Sequence, residues 1–365
     1  MRFLERFLKF CALVVFALLV LPSTGWAQHY IQTDLVSSIP GLGTNPTNPL
    51  DTQLINPWGL ARSPTSPWWV SDNGTGLSTI YNGVGTKQGL VVTIPVPAGH
   101  TPPSAPTGVV FNGTSDFAMP TSGPARFIFV TEDGTIAGWN GGSLAVIVVD
   151  DSKKDAIYKG CTIGEFNGTH YLYVANFHSG EIEVYDTDFK PVQDLNAAFN
   201  QHRQDYSPFN VQAIGTNIYV AYAKPDQDKE DEVAGPGLGF VDVYDTGGRR
   251  FSRLERGTWF NAPWGIAMAP GEFGEFSHSL LVGMFGSGQI AAFNPIDGSF
   301  LGLMKRPNGS VLTIDGLWAL GFGAGNANSG PYNTLFFTAG PNDEKDGLFG
   351  TLVPIPAELA EADEP

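Results

Sequence analysis

The chain has 365 residues and a formal net charge of −16, from 20 Lys and Arg against 36 Asp and Glu. That balance excludes a nucleic-acid binder, which needs a basic stripe to displace counterions from phosphates. Hydrophobic residues at 42% and aromatics at 12% can fill a core and exclude a disordered chain, while 45 Gly and 27 Pro suit an all-β domain with many turns.

Residues 1–27 read as a secretory signal. Arg2, Arg6 and Lys9 precede an apolar run over 10–21, and Gly25 and Ala27 are small residues placed for a cut before Gln28. The run is shorter than the roughly 20 residues of a membrane span, so the mature chain is expected to have none. Export to the periplasm or the exterior follows. Cleavage leaves 17 basic and 35 acidic residues, a net charge of −18, and Cys161 as the single cysteine. An intramolecular disulfide is then impossible, and Cys161, in an apolar strand, reads as a small core residue.

The mature sequence repeats. The first unit reads Asn56-Pro57-Trp58-Gly59-Leu60-Ala61, then Trp68-Trp69-Val70-Ser71-Asp72-Asn73-Gly74, then Ser78-Thr79-Ile80-Tyr81. The fifth reads Ala262-Pro263-Trp264-Gly265-Ile266-Ala267, then Leu280-Leu281-Val282-Gly283-Met284, then Gln289-Ile290-Ala291-Ala292-Phe293. Aligning the small residue of each first strand gives Gly59, Gly108, Gly160, Ala213, Gly265 and Ala319, at steps of 49, 52, 53, 52 and 54. Short β-branched and aromatic segments bounded by Gly, Pro, Asn and Asp are strands and turns. Four per unit in six units predict an all-β six-bladed β-propeller. The sixth unit has three good strands, and 31–36 is a spare one, expected to complete that blade beside 348–352. Residues 28–356 are thus expected to form a single propeller domain, with a short helix over 194–202 and a disordered acidic tail over 357–365.

Up-and-down order puts the start of each first strand and each second-to-third turn on one face, the top. Asn56, Asn73, Asp133, Asn176, His178, Asn210 and Asn261 are the candidates for a ligand-binding face. Asp72, Glu132 and Asp315 are candidate general bases. Asn210, Asn261, Asp315, Asp226 and Asp228 supply the hard oxygens that suit Ca²⁺. Turns also favour Asn and Asp for backbone reasons, so a structural role competes with each. The segment Asp226-Gln227-Asp228-Lys229-Glu230-Asp231-Glu232 holds five acids but lacks the Gly and Glu spacing of an EF-hand. His100, His178 and His202 could meet at the top as zinc ligands, without a zinc spacing motif. No G-x-S-x-G, Walker or Rossmann motif is present.

Segments 54–76, 125–139, 175–185, 221–245 and 347–354, including Asn56-Pro57-Trp58-Gly59-Leu60-Ala61 and Trp69-Val70-Ser71-Asp72-Asn73-Gly74-Thr75-Gly76, resemble a family of exported bacterial propellers. Some of its members carry an exosortase-type sorting tail, whose Pro-Glu-Pro signal, apolar helix and basic end this chain lacks. The resemblance implies an exported monomer. A more distant resemblance, in residue types alone, is to NHL-type and gluconolactonase-type propellers; the latter hold a channel Ca²⁺ with Glu, Asn and Asp. Two readings follow. One is a binding module whose top face engages a small molecule, a polymer, or a cell-envelope or extracellular protein. The other is a Ca²⁺-dependent hydrolase of lactones or related esters.

Overall fold

Alternating apolar and small polar residues, cut every few positions by turn formers, fold each repeat into a small antiparallel sheet. The computed structural model describes residues 29–42, 49–120, 122–200 and 205–355. The expected signal segment and the whole of the expected acidic tail lie outside the described residues. Strand β1 (Tyr30–Ser37) precedes the first blade, which is β2 (Pro57–Ala61), β3 (Trp68–Asp72), β4 (Leu77–Tyr81) and β5 (Val92–Thr93). The second blade pairs β6 (Pro106–Phe111), β9 (Phe127–Thr131), β10 (Thr135–Trp139) and β11 (Val146–Asp150). A small hairpin, β7 (Ala118–Met119) and β8 (Gly123–Pro124), is inserted after its first strand. The third blade has β12 (Tyr158–Phe166), β13 (Thr169–Asn176) and β14 (Glu181–Tyr185). The fourth has β15 (Ser207–Ile214), β16 (Asn217–Ala223), β17 (Phe240–Asp245) and β18 (Arg250–Arg253). The fifth has β19 (Pro263–Met268), β20 (Leu280–Met284), β21 (Ile290–Phe293) and β22 (Phe300–Leu303). The sixth joins β23 (Leu317–Phe322), β24 (Leu335–Ala339) and β25 (Leu348–Pro354) to β1, in the order β1-β25-β24-β23.

The ring is a six-bladed β-propeller closed by its N-terminal strand, as the repeat count predicts. β1 runs antiparallel to β25, from Tyr30 opposite Pro354 to Ser37 opposite Leu348, with a bulge between Asp34 and Val36. Pairing the two ends of the chain in one sheet leaves no first or last blade to peel away.

The third blade departs from the four-strand plan. Helix α1 (Gln193–Phe199) covers the outer edge of β14 in place of a fourth strand. Its amides stand in for the missing ladder. Asn196 Oδ1 accepts from Val184 N at 2.7 Å, and Asn200 accepts from Ile182 N at 3.0 Å while donating to Ile182 O at 3.1 Å. Leu195 and Phe199 bury the apolar side of the helix between the third and fourth blades. Asn196→Ala would leave the Val184 N–H unpaired and is expected to cost about 1–3 kcal/mol. A chemical denaturation curve measures it.

Innermost strands crowd at the axis. A Cβ on Gly108 would lie 2.8 Å from Gly160 Cα, and one on Gly265 would lie 2.5 Å from Trp318 O. In the fourth blade the position packed against Gly160 is Asn210, where the sequence alignment placed Ala213. The register break of the first strand ends at Gly160 in the third blade and at Asn210 in the fourth, so these two positions are equivalent.

Candidate functional site at the acidic mouth of the channel

The second residue of a first strand is Trp58 in β2, Lys159 in β12, Trp264 in β19 and Trp318 in β23. Three of the four are tryptophan, and together they close the channel. Trp58 stacks on Trp318 at 3.6 Å, Phe285 stacks on Trp318 at 4.0 Å, and Trp264 meets Trp58 edge-on at 6.1 Å. Phe177 and Phe209 complete this buried cluster.

Lys159 takes the tryptophan position in the third blade. Its side chain is 0% exposed, and its ammonium lies 5.0 Å from the Trp58 ring centre and 5.6 Å from that of Phe177. A buried cation is tolerable only with counter-charge. Lys159 Nζ donates to Glu132 Oε1 and, at 3.3 Å, to Asp231 Oδ1. Glu132 Oε2 accepts from Asn73 Nδ2 at 2.8 Å. Asn56 Nδ2 reaches Asn73 Oδ1 at 3.3 Å and Glu344 Oε2 at 2.5 Å. Asn56 Oδ1 accepts from the Trp318 indole at 2.9 Å. One polar belt thus crosses the channel mouth from the sixth blade through the first, second and third to the fourth.

The negative charge at this mouth exceeds what one ammonium can neutralise. Burial, aided by Glu344 and Asp231, pushes the Glu232 carboxyl up to about 8 against the pull of Lys159. Burial also raises Glu344, with Glu132 and Asp231 adding to it while Asn56 and Lys159 oppose. The loop that brings Asp231 and Glu232 here is a hairpin, bridged between Pro225 and Glu232 and turning at Lys229 with φ +58°. Asn261 tethers the chain beyond it, its Oδ1 accepting from Gly235 N at 2.6 Å.

Of the residues singled out from sequence, Asn56, Asn73 and Glu132 meet in this belt. The others lie elsewhere. Asp72 is fully buried inside the first blade, where Oδ2 accepts from Thr79 N at 2.9 Å and burial holds the carboxyl well above the usual range. Asp133 Oδ2 accepts from Ala105 N at 2.9 Å, and burial raises its carboxyl. Asn176 is buried, donating to Glu183 at 2.7 Å and accepting from Ser179 N at 3.2 Å. Asn210 is buried and donates to Trp264 O at 2.8 Å, a link between the fourth and fifth blades. Asp315 is exposed and accepts from Asn342 N at 3.1 Å. Asp226 accepts from Glu230 N at 3.1 Å within its own hairpin, and Asp228 is exposed. His100 is exposed, His178 is half-buried, and His202 lies outside the described residues. Asp231 and Glu232, from the acidic segment noted in the sequence, complete the site together with Lys159 and Glu344, which were not among the chosen site residues. The usable signal was a lysine where sibling repeats carry tryptophan.

Calcium does not fit these residues. The carboxylates of Glu132 and Asp231 are turned onto the Lys159 ammonium, which holds the place between them. Among the described residues, no three His, Cys, Asp or Glu side chains converge as a metal-ligand set.

Fold and site together define a six-bladed propeller whose channel is plugged by aromatics beneath an acidic mouth. The chain belongs to the family of uncharacterized protein L690 of Acanthamoeba polyphaga mimivirus, 31% identical over 320 residues, which cover 83% of this chain and 81% of that protein. Uncharacterized protein R648 of the same virus is 29% identical over 344 residues, 90% of this chain and 80% of that one. No protein-family model matches the chain. Among solved structures it is similar to a streptogramin B lyase, with a TM-score of 0.52 at 12% identity, covering 89% of this chain and 97% of that one. Virginiamycin B lyase from Staphylococcus aureus gives a TM-score of 0.50 at 11% identity, covering 89% and 99%. At such identity the likeness is one of fold. No helix among the described residues is long and apolar enough to cross a membrane.

Proposed function

We propose that the protein is an exported binding propeller whose acidic top face takes a cationic partner, such as a lysine-rich or arginine-rich segment of an envelope or extracellular protein. The observation that carries this is the crowding of Glu132, Asp231, Glu232 and Glu344 around a single internal ammonium, with Glu232 held at about 8. Burial is the main reason the Glu232 carboxyl resists ionisation, and the negative potential of Glu344 and Asp231 adds to it. An incoming cation relieves that potential, and through linkage it expels the proton. The side chain of Asp231 is 73% exposed, so the outer rim of the cluster is open to such a partner. This reading is preferred to a Ca²⁺-dependent hydrolase of lactones or related esters because Glu132 and Asp231 are engaged by Lys159.

Isothermal titration with tetralysine at pH 5 and pH 8 tests the proposal. Binding should be at least about tenfold tighter at pH 8, a difference of about 1.4 kcal/mol, with protons released below pH 8. Glu344→Gln with Asp231→Asn should weaken it. Absence of binding at both pH values, or affinity unaffected by pH and by both substitutions, would overturn the proposal.

A further inference from the structure

Beneath the aromatic plug the channel opens on the opposite face. The closing halves of the six innermost strands wall a chamber of about 390 Å³, within the roughly 300–1,000 Å³ of small-molecule sites. Leu60, Phe111, Ile266, Met268, Leu320 and Phe322 supply much of the wall. Thr162 and Gln212 add neutral polar groups, and burial pushes the Cys161 thiol up, so it stays uncharged.

Arg62 is the one charged residue in that lining. Its Nε donates to Phe322 O at 2.8 Å, its Nη1 to Ser63 O at 3.3 Å, and the guanidinium carbon stands 5.3 Å from the Trp68 ring centre. All of these partners are neutral. Among the described residues no carboxylate pairs with Arg62, although the chain carries 16 more acids than bases. A half-buried cation with no counter-charge among the described residues, at the rim of an apolar chamber, is the electrostatic complement of an anion carried on an apolar body. The plug of Trp58, Trp264 and Trp318 separates this chamber from the acidic mouth, so the two sites are distinct.

We propose that this chamber binds an amphipathic monocarboxylate, an alkyl or aryl acid, with its carboxylate on Arg62 and its apolar body against Leu60, Met268 and Phe322. The guanidinium retains donors beyond the two bonds to backbone carbonyls, and charge-assisted pairing to a carboxylate uses them.

Decanoate is the probe, below its micelle-forming concentration and followed by titration calorimetry on the purified protein. Saturable one-to-one binding is expected, at least about tenfold tighter than decanol or decyltrimethylammonium. Arg62→Gln should erase the preference for decanoate over decanol. Met268→Trp, which fills the chamber and leaves Arg62 in place, should weaken both. Thermal melts establish that each variant is folded. Should Arg62→Gln fail to fold, Met268→Trp and the decanol comparison decide alone. No saturable binding of decanoate, equal binding of all three probes, or affinity indifferent to Met268→Trp would overturn the proposal. None of these outcomes bears on the acidic mouth.

Discussion

Lys159→Met is expected to lower the unfolding free energy by about 3 kcal/mol at neutral pH, the low end for removing one partner of a buried ion pair. The low end applies because Glu132 and Asp231 retain some solvent, with side chains 25% and 73% exposed. Methionine keeps the length and the contact with Trp58 and Phe177, so the loss isolates the charge. The loss should depend on pH. Glu232, at about 8 in the folded chain, lies above its unfolded value near 4.5. The native state therefore holds an extra proton between those values, and stability falls as pH rises from about 4.5 to about 8. Removing the ammonium takes away the one charge that opposes this shift. The carboxyls then rise further and the fall steepens. Urea unfolding at pH 5 and pH 8 should show the variant closest to wild type at pH 5. Equal losses at both values would mean that Lys159 acts through packing alone. Glu232→Gln in the wild-type background should flatten the same slope.

Removal of β1 should have the larger effect on the whole molecule. A chain starting at residue 38 exposes the edge of β25 and the apolar row that β1 covers, in which Tyr30 and Val36 are 0% and 1% exposed. An open, apolar edge strand templates association, so the truncated protein is expected to aggregate rather than to melt early as a monomer. Tyr30→Ala is the finer test. The Tyr30 ring lies 4.8 Å from Phe273 and stacks on Phe276 at 6.2 Å, and its hydroxyl donates to Phe273 O at 3.0 Å. Losing the ring is expected to cost about 3–5 kcal/mol, whereas Tyr30→Phe should cost about 1 kcal/mol. Sedimentation and thermal unfolding measure both. A monomeric truncated chain with an unchanged melt would show that closure by β1 contributes nothing.

Most of the fold could be read along the chain, because a propeller blade is a local object. Its strands are neighbours in sequence, its turns are short, and each repeats the pattern of the last. Ring closure was also legible, from the missing fourth strand of the last repeat and the spare strand before the first. The third blade was legible only in part: the helix expected over 194–202 forms over Gln193–Phe199, but its use was not foreseen. That α1 would cover β14 through Asn196 and Asn200 depends on two side chains meeting two backbone groups, and local pattern carries no record of that.

The site was half legible. The turn logic put Asn56, Asn73 and Glu132 on the same face, and the structure joins them. The same logic named Asp72, Asn176 and Asn210, which serve backbone groups within or between blades. In sequence an Asn that holds backbone and an Asn that faces a channel look alike, since both favour turns and strand ends. Lys159 lay inside a segment read as a buried strand, and only its neighbours from other blades reveal its use.

The sequence by itself determined the class, the number of blades and the closure, since those follow from local β-propensity and a period of about fifty residues repeated six times. Only the tertiary structure decided that the channel is plugged, that an ammonium holds the centre of its acidic mouth, and that the Arg62 guanidinium stands at the rim of the chamber at the other end. Those properties come from residues of up to six blades brought to one axis, where burial and mutual charge set the state of each carboxyl, and neither burial nor distance between blades is written in any single repeat.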